Sequence, residues 1–207
     1  MTITLLVAED RGIVRQGIIS ILQQQDEFAV VAEARDGLEA VHLHATHQPD
    51  VTLMDLRMPN LEGVAAIVRI LKRTPDAKIV ILTTYDTDED IYRGLQAGAR
   101  GYILKDADLE DLIDAVRTVY DNNRYLPANV AHKLAERMSF EELTEREREV
   151  LNLMVQGSST SALAEKLNLS EGTIKFHISH IFQKLGVSDR TQAVIVALKR
   201  GLVRLDD

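Results

Sequence analysis

The stretch Val51-Thr52-Leu53-Met54-Asp55 places an acidic residue directly after a short, mostly apolar run. A second run, Ile79-Val80-Ile81-Leu82, also lacks polar residues at alternate positions. Parallel sheets in α/β proteins are covered by helices on both faces, and their strands read as continuous apolar runs of this kind. The two stretches therefore predict central strands of a parallel sheet.

Around these stretches, one unit of apolar run, turn and helical pattern recurs five times between residue 1 and about residue 120. The apolar runs predict strands at 3–8, 29–34, 51–54, 79–83 and 101–104. The helical patterns predict helices at 13–25, 37–47, 63–73, 88–97 and 109–120. Together they predict an α/β fold, a doubly wound five-stranded parallel sheet.

Polar residues lie at or directly after the ends of four predicted strands: Glu9, Asp10, Asp55, Thr83, Thr84 and Lys105. Doubly wound sheets place ligands beyond the carboxyl ends of their strands, so we expect these side chains to meet. Crowded carboxylates repel unless a cation offsets them, and Mg²⁺ prefers a few carboxylates, waters and a phosphate. Asp55 could serve as a nucleophile toward phosphorus, with Lys105 and the Thr83 hydroxyl holding the phosphoryl oxygens. The alternative is a solvated acidic edge without a ligand.

Composition sets further limits on the 207-residue chain. A hydrophobic fraction of 45% can furnish real cores, and the lack of cysteine excludes disulfides, thiolate metal sites and cysteine nucleophiles. No apolar run approaches the roughly 20 residues of a membrane span, so we expect a soluble, cytoplasmic protein without a membrane partner. The three histidines of the second helix, His42, His44 and His47, are predicted to be solvated.

Charge divides the chain unequally. Residues 1–143 hold 15 Lys and Arg against 24 Asp and Glu, whereas residues 144–207 hold 9 against 8. The first part therefore carries about nine negative charges and the second about one positive charge, which predicts two domains with different partners. Between them, residues 128–138 read as a short amphipathic helix, followed by a flexible link near 139–142.

Four helices with clear start and stop signals follow Thr144. Thr144 and Glu147 form a capping-box pattern, and the predicted N-caps of the later helices are Ser159 or Thr160, Ser170 and Ser188. The third helix has one apolar stripe and an opposite stripe of Gly172, Lys175, Phe176, Ser179 and Gln183. Such a helix after a tight turn fits a recognition helix in the DNA major groove, and an ordinary helical bundle is the alternative.

Four motifs in the first part carry a family resemblance: Val7-Ala8-Glu9-Asp10, Asp55-Leu56-Arg57-Met58-Pro59 with Gly63, Leu82-Thr83-Thr84, and Gly98-Ala99-Arg100-Gly101-Tyr102-Ile103-Leu104-Lys105. With these motifs, residues 3–120 resemble the receiver domain of response regulators. The resemblance implies that Asp55 is the phosphoacceptor and that Lys105 pairs with the phosphate. It also implies Mg²⁺ ligands at Glu9, Asp10, Asp55 and the Arg57 backbone carbonyl, a switch at Thr83 and Tyr102, and a small Thr84 that leaves Asp55 accessible.

The second part carries its own motifs: Leu143-Thr144-Glu145-Arg146-Glu147-Arg148-Glu149-Val150-Leu151, Gly157, Leu163-Ala164, Leu169-Ser170, Thr173-Ile174-Lys175, His177, Lys184-Leu185-Gly186-Val187 and Arg190-Thr191-Gln192-Ala193. These resemble the LuxR-type helix-turn-helix. The resemblance implies base contacts from Lys175, Phe176 and Ser179 and backbone contacts from Thr173 and Lys184. Phe176 is unusual at an exposed reading position.

A receiver joined to this helix-turn-helix makes the chain similar to the NarL/FixJ family of two-component response regulators. The implied domains are a receiver at 1–122, a linker at 123–142 and a DNA-binding domain at 143–207. The implied partners are a histidine kinase or small phosphodonor, double-stranded DNA, a second copy of the phosphorylated chain through the first and fifth helices, and RNA polymerase. The resemblance further implies a transcription regulator and not an enzyme, apart from reactions at its own Asp55.

Two functions from other classes stay open. A Mg²⁺-dependent aspartyl-phosphate phosphatase also uses a strand-end Asp, but it needs a second Asp two positions later, where this chain has Arg57. A phosphate-independent interaction module would keep its oligomeric state and DNA binding when Asp55 is replaced by Asn.

Overall fold

A computed structural model describes residues 2–138 and 141–203 of the chain. The strands are β1 (Ile3–Ala8), β2 (Phe28–Ala34), β3 (Val51–Met54), β4 (Ile79–Thr83) and β5 (Gly101–Leu104). The helices are α1 (Gly12–Leu22), α2 (Gly37–His47), α3 (Gly63–Arg73), α4 (Asp88–Gln96), α5 (Leu109–Tyr120), α6 (Ala128–Met138), α7 (Glu145–Val155), α8 (Thr160–Leu167), α9 (Glu171–Leu185) and α10 (Arg190–Lys199). Within the described ranges, no helix is both long enough and apolar enough to cross a lipid bilayer.

The five strands form one parallel sheet in the order β2-β1-β3-β4-β5. The chain places β2 on one side of β1 and β3 on the other, so the strand order reverses at β1. Open α/β sheets bind their ligands at the carboxyl ends of the strands beside such a reversal. The predicted doubly wound parallel sheet is confirmed, and Glu9 and Asp55 directly follow the two strands that meet at the reversal.

Both faces of the sheet are buried, as the apolar runs predicted. Leu5 and Leu53 belong to a core cluster that also contains buried residues of α1 and α5. Their neighbours Leu6 and Met54 point to the opposite face, because successive side chains of a strand alternate, and both are fully buried as well. A strand buried on both faces has no place for polar alternation, which explains the continuous apolar sequence.

The predicted element limits differ from the observed ones at four ends, and one of these is the start of α1, which lies at Gly12 and not at residue 13. Strand β2 begins one residue earlier, at Phe28, and α4 ends one residue earlier, at Gln96. Helix α1 ends at Leu22 and not near residue 25, because the next amides bond three residues back: Gln24 N donates to the Ile21 carbonyl at 3.3 Å. The segment after α1 is therefore a turn that leads into β2.

His44 corrects one sequence expectation. His42 and His47 are exposed as predicted, but His44 is 4% exposed and its Nδ1 lies 3.0 Å from the Thr52 hydroxyl on β3. Burial disfavours the charged imidazole and lowers the pKa of His44 below its ordinary value. His44 is thus a neutral core residue that joins α2 to the sheet by a hydrogen bond.

Two compact units make up the chain, 1–86 with 90–132 and 87–89 with 133–207. The division cuts α6, so the predicted domain limits stay a prediction. Helix α6 covers the residues predicted for the short connecting helix, and part of the predicted flexible link near 139–142 lies outside the described residues.

Helix ends in the second unit follow the predicted signals closely. The capping box of α7 is formed, since the Thr144 side chain accepts from Glu147 N and the Glu147 carboxylate accepts from Thr144 N. Ser159 caps α8 and Ser170 caps α9. Asn168 adopts a left-handed conformation with φ of 52° and makes the tight turn between α8 and α9. The four helices pack around one apolar core.

The predicted N-cap of α10, Ser188, is wrong, because the helix is capped by Asp189. The Asp189 side chain accepts a hydrogen bond from Gln192 N at 2.8 Å, three residues into the helix, which is the geometry of an N-cap. Ser188 stands one residue earlier, and its hydroxyl donates to Gln192 Oε1 at 3.3 Å. Both residue types cap helices well, so the sequence alone could not separate them.

Candidate functional site

Three carboxylates converge at the carboxyl edge of the sheet. One oxygen from each of Glu9, Asp10 and Asp55 lies within 4.8 Å of the other two. The strand pairing produces this arrangement, because Asp55 N donates to the Ala8 carbonyl at 2.9 Å and so holds the end of β3 against the end of β1. Glu9 and Asp55 are buried, whereas Asp10 is exposed to solvent.

Lys105 joins two of these carboxylates. Its Nζ donates to Asp55 Oδ2 at 2.8 Å and also to Glu9 Oε2, and the lysine side chain is only 12% exposed. The backbone places it there, since Lys105 N donates to the Thr83 carbonyl at 2.8 Å just beyond the last pair of β4 and β5. The second Asp55 oxygen, Oδ1, accepts from Leu56 N at 2.7 Å.

The pKa of Glu9 depends on its burial and on the charge of Lys105. Burial raises the pKa of Glu9 above its ordinary value, and the hydrogen bond and charge of Lys105 oppose that rise. Among the described residues, Lys105 pairs with two of the three carboxylates and Asp10 adds a third, so acidic groups outnumber the ammonium in the cluster. Oxygen ligands with excess negative charge suit a hard divalent cation such as Mg²⁺. Glu9, Asp10 and Asp55 therefore fit the predicted ion, and Arg57, whose carbonyl was predicted as a further ligand, lies in the loop that follows β3.

The predicted switch residues, Thr83 on β4 and Tyr102 on β5, lie in similar, buried environments. Thr83 is fully buried, and its hydroxyl accepts from Tyr85 N at 3.4 Å. Tyr102 is also fully buried and donates its hydroxyl to the Tyr85 carbonyl at 2.6 Å. Burial is the main cause that raises the pKa of Tyr102, so its phenol stays protonated. Tyr85 thus contacts both residues through its backbone, while Thr84 is exposed.

Arg57 makes contacts that the sequence did not reveal. Its guanidinium pairs with Asp90 Oδ1 on α4 at 2.8 Å, and its central carbon lies 4.6 Å from the centre of the Tyr85 ring. The side chain thereby connects the loop after β3 to the loop after β4 and to α4. The partners lie about 30 residues apart in sequence, and no local pattern pairs them.

Arg15 is a second residue that sequence reasoning missed. It is 9% exposed, and its guanidinium donates to the Glu9 carbonyl at 2.7 Å. Arg15 therefore holds the backbone of the acidic pair in place. A signal for it exists: it precedes the buried Ile18 and Ile19 by three and four residues, which puts it on the inner face of α1.

Gly63 permits the tight loop that carries Asp55. A Cβ at residue 63 would lie 2.0 Å from the Asp55 carbonyl oxygen, closer than any side chain can approach. The loop is further closed by Gly63 N, which donates to the Leu56 carbonyl at 2.9 Å. Glycine at this position is thus required by the close backbone approach.

In the second unit, the stripe predicted to read DNA lies on the surface. Lys175, Phe176 and Ser179 on α9 are all exposed, and Ile174 and Ile181 on the opposite stripe are fully buried. This separation of faces follows the helical period and leaves one face of α9 available to a ligand.

The two residues predicted to contact the DNA backbone are less accessible. Thr173 is half-buried, and its hydroxyl lies 2.9 Å from that of Ser170 at the N-terminus of α9. Lys184 is 14% exposed at its side chain, and its Nζ donates to Glu147 Oε2 at 2.8 Å and to the Glu142 carbonyl at 2.9 Å. The structure therefore does not bring Lys184 together with the exposed stripe.

Comparison with known proteins assigns a family to each part of the chain. Residues 5–117 match the response regulator receiver domain, and residues 141–197 match the luxR family of bacterial regulatory proteins. The transcriptional regulatory protein DegU of Brevibacillus brevis is 37% identical over 98% of this chain and 96% of its own length.

Solved structures of RcsB are similar over nearly the whole chain. RcsB of Salmonella enterica serovar Typhimurium, bound to the promoter P1flhDC with the phosphomimetic BeF3-, is 26% identical with a TM-score of 0.75, covering 97% of this chain and 100% of RcsB. A structure of two RcsB dimers bound to two parallel DNAs is also 26% identical, with a TM-score of 0.72 and coverage of 95% and 98%. The matches span both compact units.

Proposed function

Since this chain belongs to the two-component response regulators that join a receiver domain to a LuxR-type DNA-binding domain and regulate transcription, we propose that phosphorylation of Asp55 controls its dimerisation and its sequence-specific binding to DNA. The observation that carries the proposal is the meeting of Glu9, Asp10, Asp55 and Lys105 at the strand-order reversal. The proposed domains are the receiver at 1–122, the linker at 123–142 and the DNA-binding domain at 143–207.

Asp55 is the proposed phosphoacceptor. One of its carboxylate oxygens attacks the phosphorus of a phosphohistidine or of a small acyl phosphate, and the bond from phosphorus to the donor's nitrogen or oxygen breaks. The product is an aspartyl phosphate, and the leaving group departs as an imidazole or a carboxylate. Lys105 Nζ lies 2.8 Å from Asp55 Oδ2, so its positive charge can pair with the phosphoryl oxygens once they are transferred to Asp55.

Glu9, Asp10, Asp55 and the Arg57 carbonyl would hold Mg²⁺ beside the phosphoacceptor. When bound, the ion offsets the negative charge that the carboxylates and the phosphoryl oxygens share. Arg15 and Gly63 position these ligands, because Arg15 fixes the backbone at Glu9 and Gly63 allows the close backbone approach at Asp55.

The proposed switch passes through Tyr85. Thr83 accepts from Tyr85 N, and Tyr102 donates to the Tyr85 carbonyl. If the Thr83 hydroxyl turns to donate to a phosphoryl oxygen, the Tyr85 amide loses its acceptor and the loop after β4 must move. Tyr102 then loses the geometry of its own hydrogen bond, so both switch residues respond to one event. Thr84, exposed and small, would leave the approach to the buried Asp55 open to a phosphodonor.

The proposed output is a dimer on DNA. The RcsB structures contain dimers bound to DNA and a promoter complex with a phosphomimetic, which supports the same use of the two domains in this chain. We assign base contacts to Lys175, Phe176 and Ser179 and a DNA-backbone contact to Thr173, and Lys184 could add one only after release from Glu147. Helices α1 and α5 are the proposed dimer surface. The proposed source of phosphate is a histidine kinase or a small phosphodonor. RNA polymerase is a further proposed partner, and the cytoplasm is the proposed site of action.

Lys175→Ala should weaken the binding of the chain to DNA. We expect affinity for a duplex selected by the wild-type chain to fall about tenfold, because an exposed ammonium on the reading face is lost. If Lys175 holds a phosphate, the slope of log affinity against log salt should also fall by about one. Fluorescence anisotropy at several salt concentrations measures both quantities.

Lys199→Ala is the matched control, since Lys199 is also exposed but lies on α10. It removes the same charge away from the reading face and should leave the affinity within about twofold of wild type. Equal losses in the two variants would show a general charge effect and would contradict the assignment of Lys175.

A further inference from the structure

Phe176 is a large apolar side chain that is 57% exposed on the face of α9 proposed to meet DNA. Its ring lies against that of His180, one helical turn later, with ring centroids 4.1 Å apart and planes tilted by 44°. A second contact, to the edge of His177, has centroids 5.9 Å apart. The rings of Phe176 and His180 are in van der Waals contact, so His180 restricts the orientation of an otherwise exposed phenyl ring.

The His180 imidazole lies close to a buried acid. Its Nδ1 lies 3.8 Å from Glu147 Oε1, and Glu147 is 3% exposed. The Glu147 carboxylate also accepts from Lys184 Nζ and from Thr144 N, both at 2.8 Å. Glu147 therefore belongs to the rigid start of α7, and its carboxylate lies beside the His180 imidazole.

Gly172, Phe176 and His180 are spaced by four residues and form one row along α9, and the Gly172 end of this row is open. Gly172 precedes Phe176 by four residues, and a Cβ built there would have one neighbour within 4 Å, the Ser170 hydroxyl at 3.6 Å. Helical side chains lean toward the preceding turn, so the Phe176 ring leans toward Gly172, which has no side chain. The ring is thus supported on the His180 side and accessible on the Gly172 side.

We propose that His180 is a positioning residue that holds Phe176 against a thymine methyl group in the DNA major groove. The inference rests on the proposed DNA-binding function and names the base feature that this face of α9 selects. The methyl group of thymine is the apolar group that base pairs present in the major groove, and it suits an apolar ring. Lys175 directly precedes Phe176, Ser179 follows it by three residues, and both supply polar contacts to neighbouring bases or phosphates.

Pre-orientation is what His180 adds. A lone exposed phenyl ring samples several rotamers and must lose that freedom on binding, whereas a ring already in contact with an imidazole has lost part of it before DNA arrives. His180 should therefore increase the dependence of binding on the methyl group without touching the base itself.

The test uses the full-length chain and DNA that lacks single methyl groups. Duplexes bound by the wild-type chain are first selected from a randomised library, and each thymine of the selected half-site is then replaced by deoxyuridine. We expect one replacement to weaken wild-type binding about three- to fivefold, the worth of roughly one buried methyl group. Phe176→Ala should bind the thymine and deoxyuridine duplexes equally, and His180→Ala should lose most of the difference.

Two further variants separate positioning from a general structural role. His180→Phe keeps a ring against Phe176 and should retain most of the methyl dependence. His177→Ala removes the neighbouring imidazole of the same helix but leaves the stack at His180, so it should behave like wild type in the ratio of the two affinities. Thermal unfolding of each variant shows that the fold is kept.

The possible results are distinct. Failure of the wild-type chain to select any sequence would overturn the proposed DNA-binding function together with this inference. Selection of a site in which deoxyuridine is harmless at every position, or a half-site without thymine, overturns only the role of Phe176. A methyl dependence that persists in His180→Ala at its wild-type size overturns the positioning role of His180.

Discussion

Replacing Asp55 by asparagine is expected to abolish phosphorylation of the chain. After treatment with Mg²⁺ and acetyl phosphate, intact-mass measurement should find one phosphoryl group on the wild type and none on Asp55→Asn. The reason is chemical, because an amide oxygen of asparagine is a far weaker nucleophile toward phosphorus than the carboxylate that lies beside Lys105. The fold should persist, since asparagine keeps the shape of the side chain and can still accept from Leu56 N.

Asp76→Asn is the matched control for this experiment. Asp76 is exposed and precedes β4, so it lies at the opposite edge of the sheet from Asp55. This variant should take up one phosphoryl group like the wild type. An adduct of undiminished yield on Asp55→Asn would show that another residue accepts the phosphate and would contradict the role given to Asp55.

Lys105→Met should lower the stability of the sheet by about 3 kcal/mol in the absence of divalent cations. Lys105 is the counter-ion of the buried carboxylates Glu9 and Asp55, and removing one partner of a buried ion pair leaves charge without compensation. Added Mg²⁺ should restore more stability in the variant than it adds to the wild type, because it then replaces the missing positive charge. Urea dependence of amide hydrogen exchange at the sheet measures the free energy of unfolding in this unit alone.

Lys72→Met provides the comparison, since Lys72 is an exposed lysine on α3. Its loss should change the free energy of unfolding by less than about 0.5 kcal/mol, as for most surface substitutions. A Lys105→Met protein as stable as Lys72→Met, with no added response to Mg²⁺, would mean that Lys105 does not compensate the acidic cluster.

Much of the first unit was predictable because parallel strands carry their information locally. Strands buried on both faces must be apolar throughout, and their ends collect at one edge, so Asp55 and Lys105 could be placed together from sequence. Helix starts in the second unit were predictable for another local reason. A single side chain, such as that of Thr144 or Ser170, accepts a hydrogen bond from an unpaired amide of the first turn.

Long-range contacts were not predictable in the same way. The burial of His44 depends on Thr52 of the neighbouring strand, and the engagement of Lys184 depends on Glu147, 37 residues earlier in the chain. Arg57 likewise meets Asp90 only through the fold. Such pairs arise from tertiary packing, which no helical or strand period encodes.

The most direct test of phosphorylation control is the DNA affinity of one preparation of the full-length chain before and after treatment with Mg²⁺ and acetyl phosphate, with Asp55→Asn treated in parallel. We predict that phosphorylation raises the affinity of the wild type for its selected site about tenfold, a usual size for coupling between two sites, and that dimers appear with it. The Asp55→Asn protein should show the same affinity in both conditions. Equal affinity of the phosphorylated and unphosphorylated wild type would contradict control of DNA binding by Asp55.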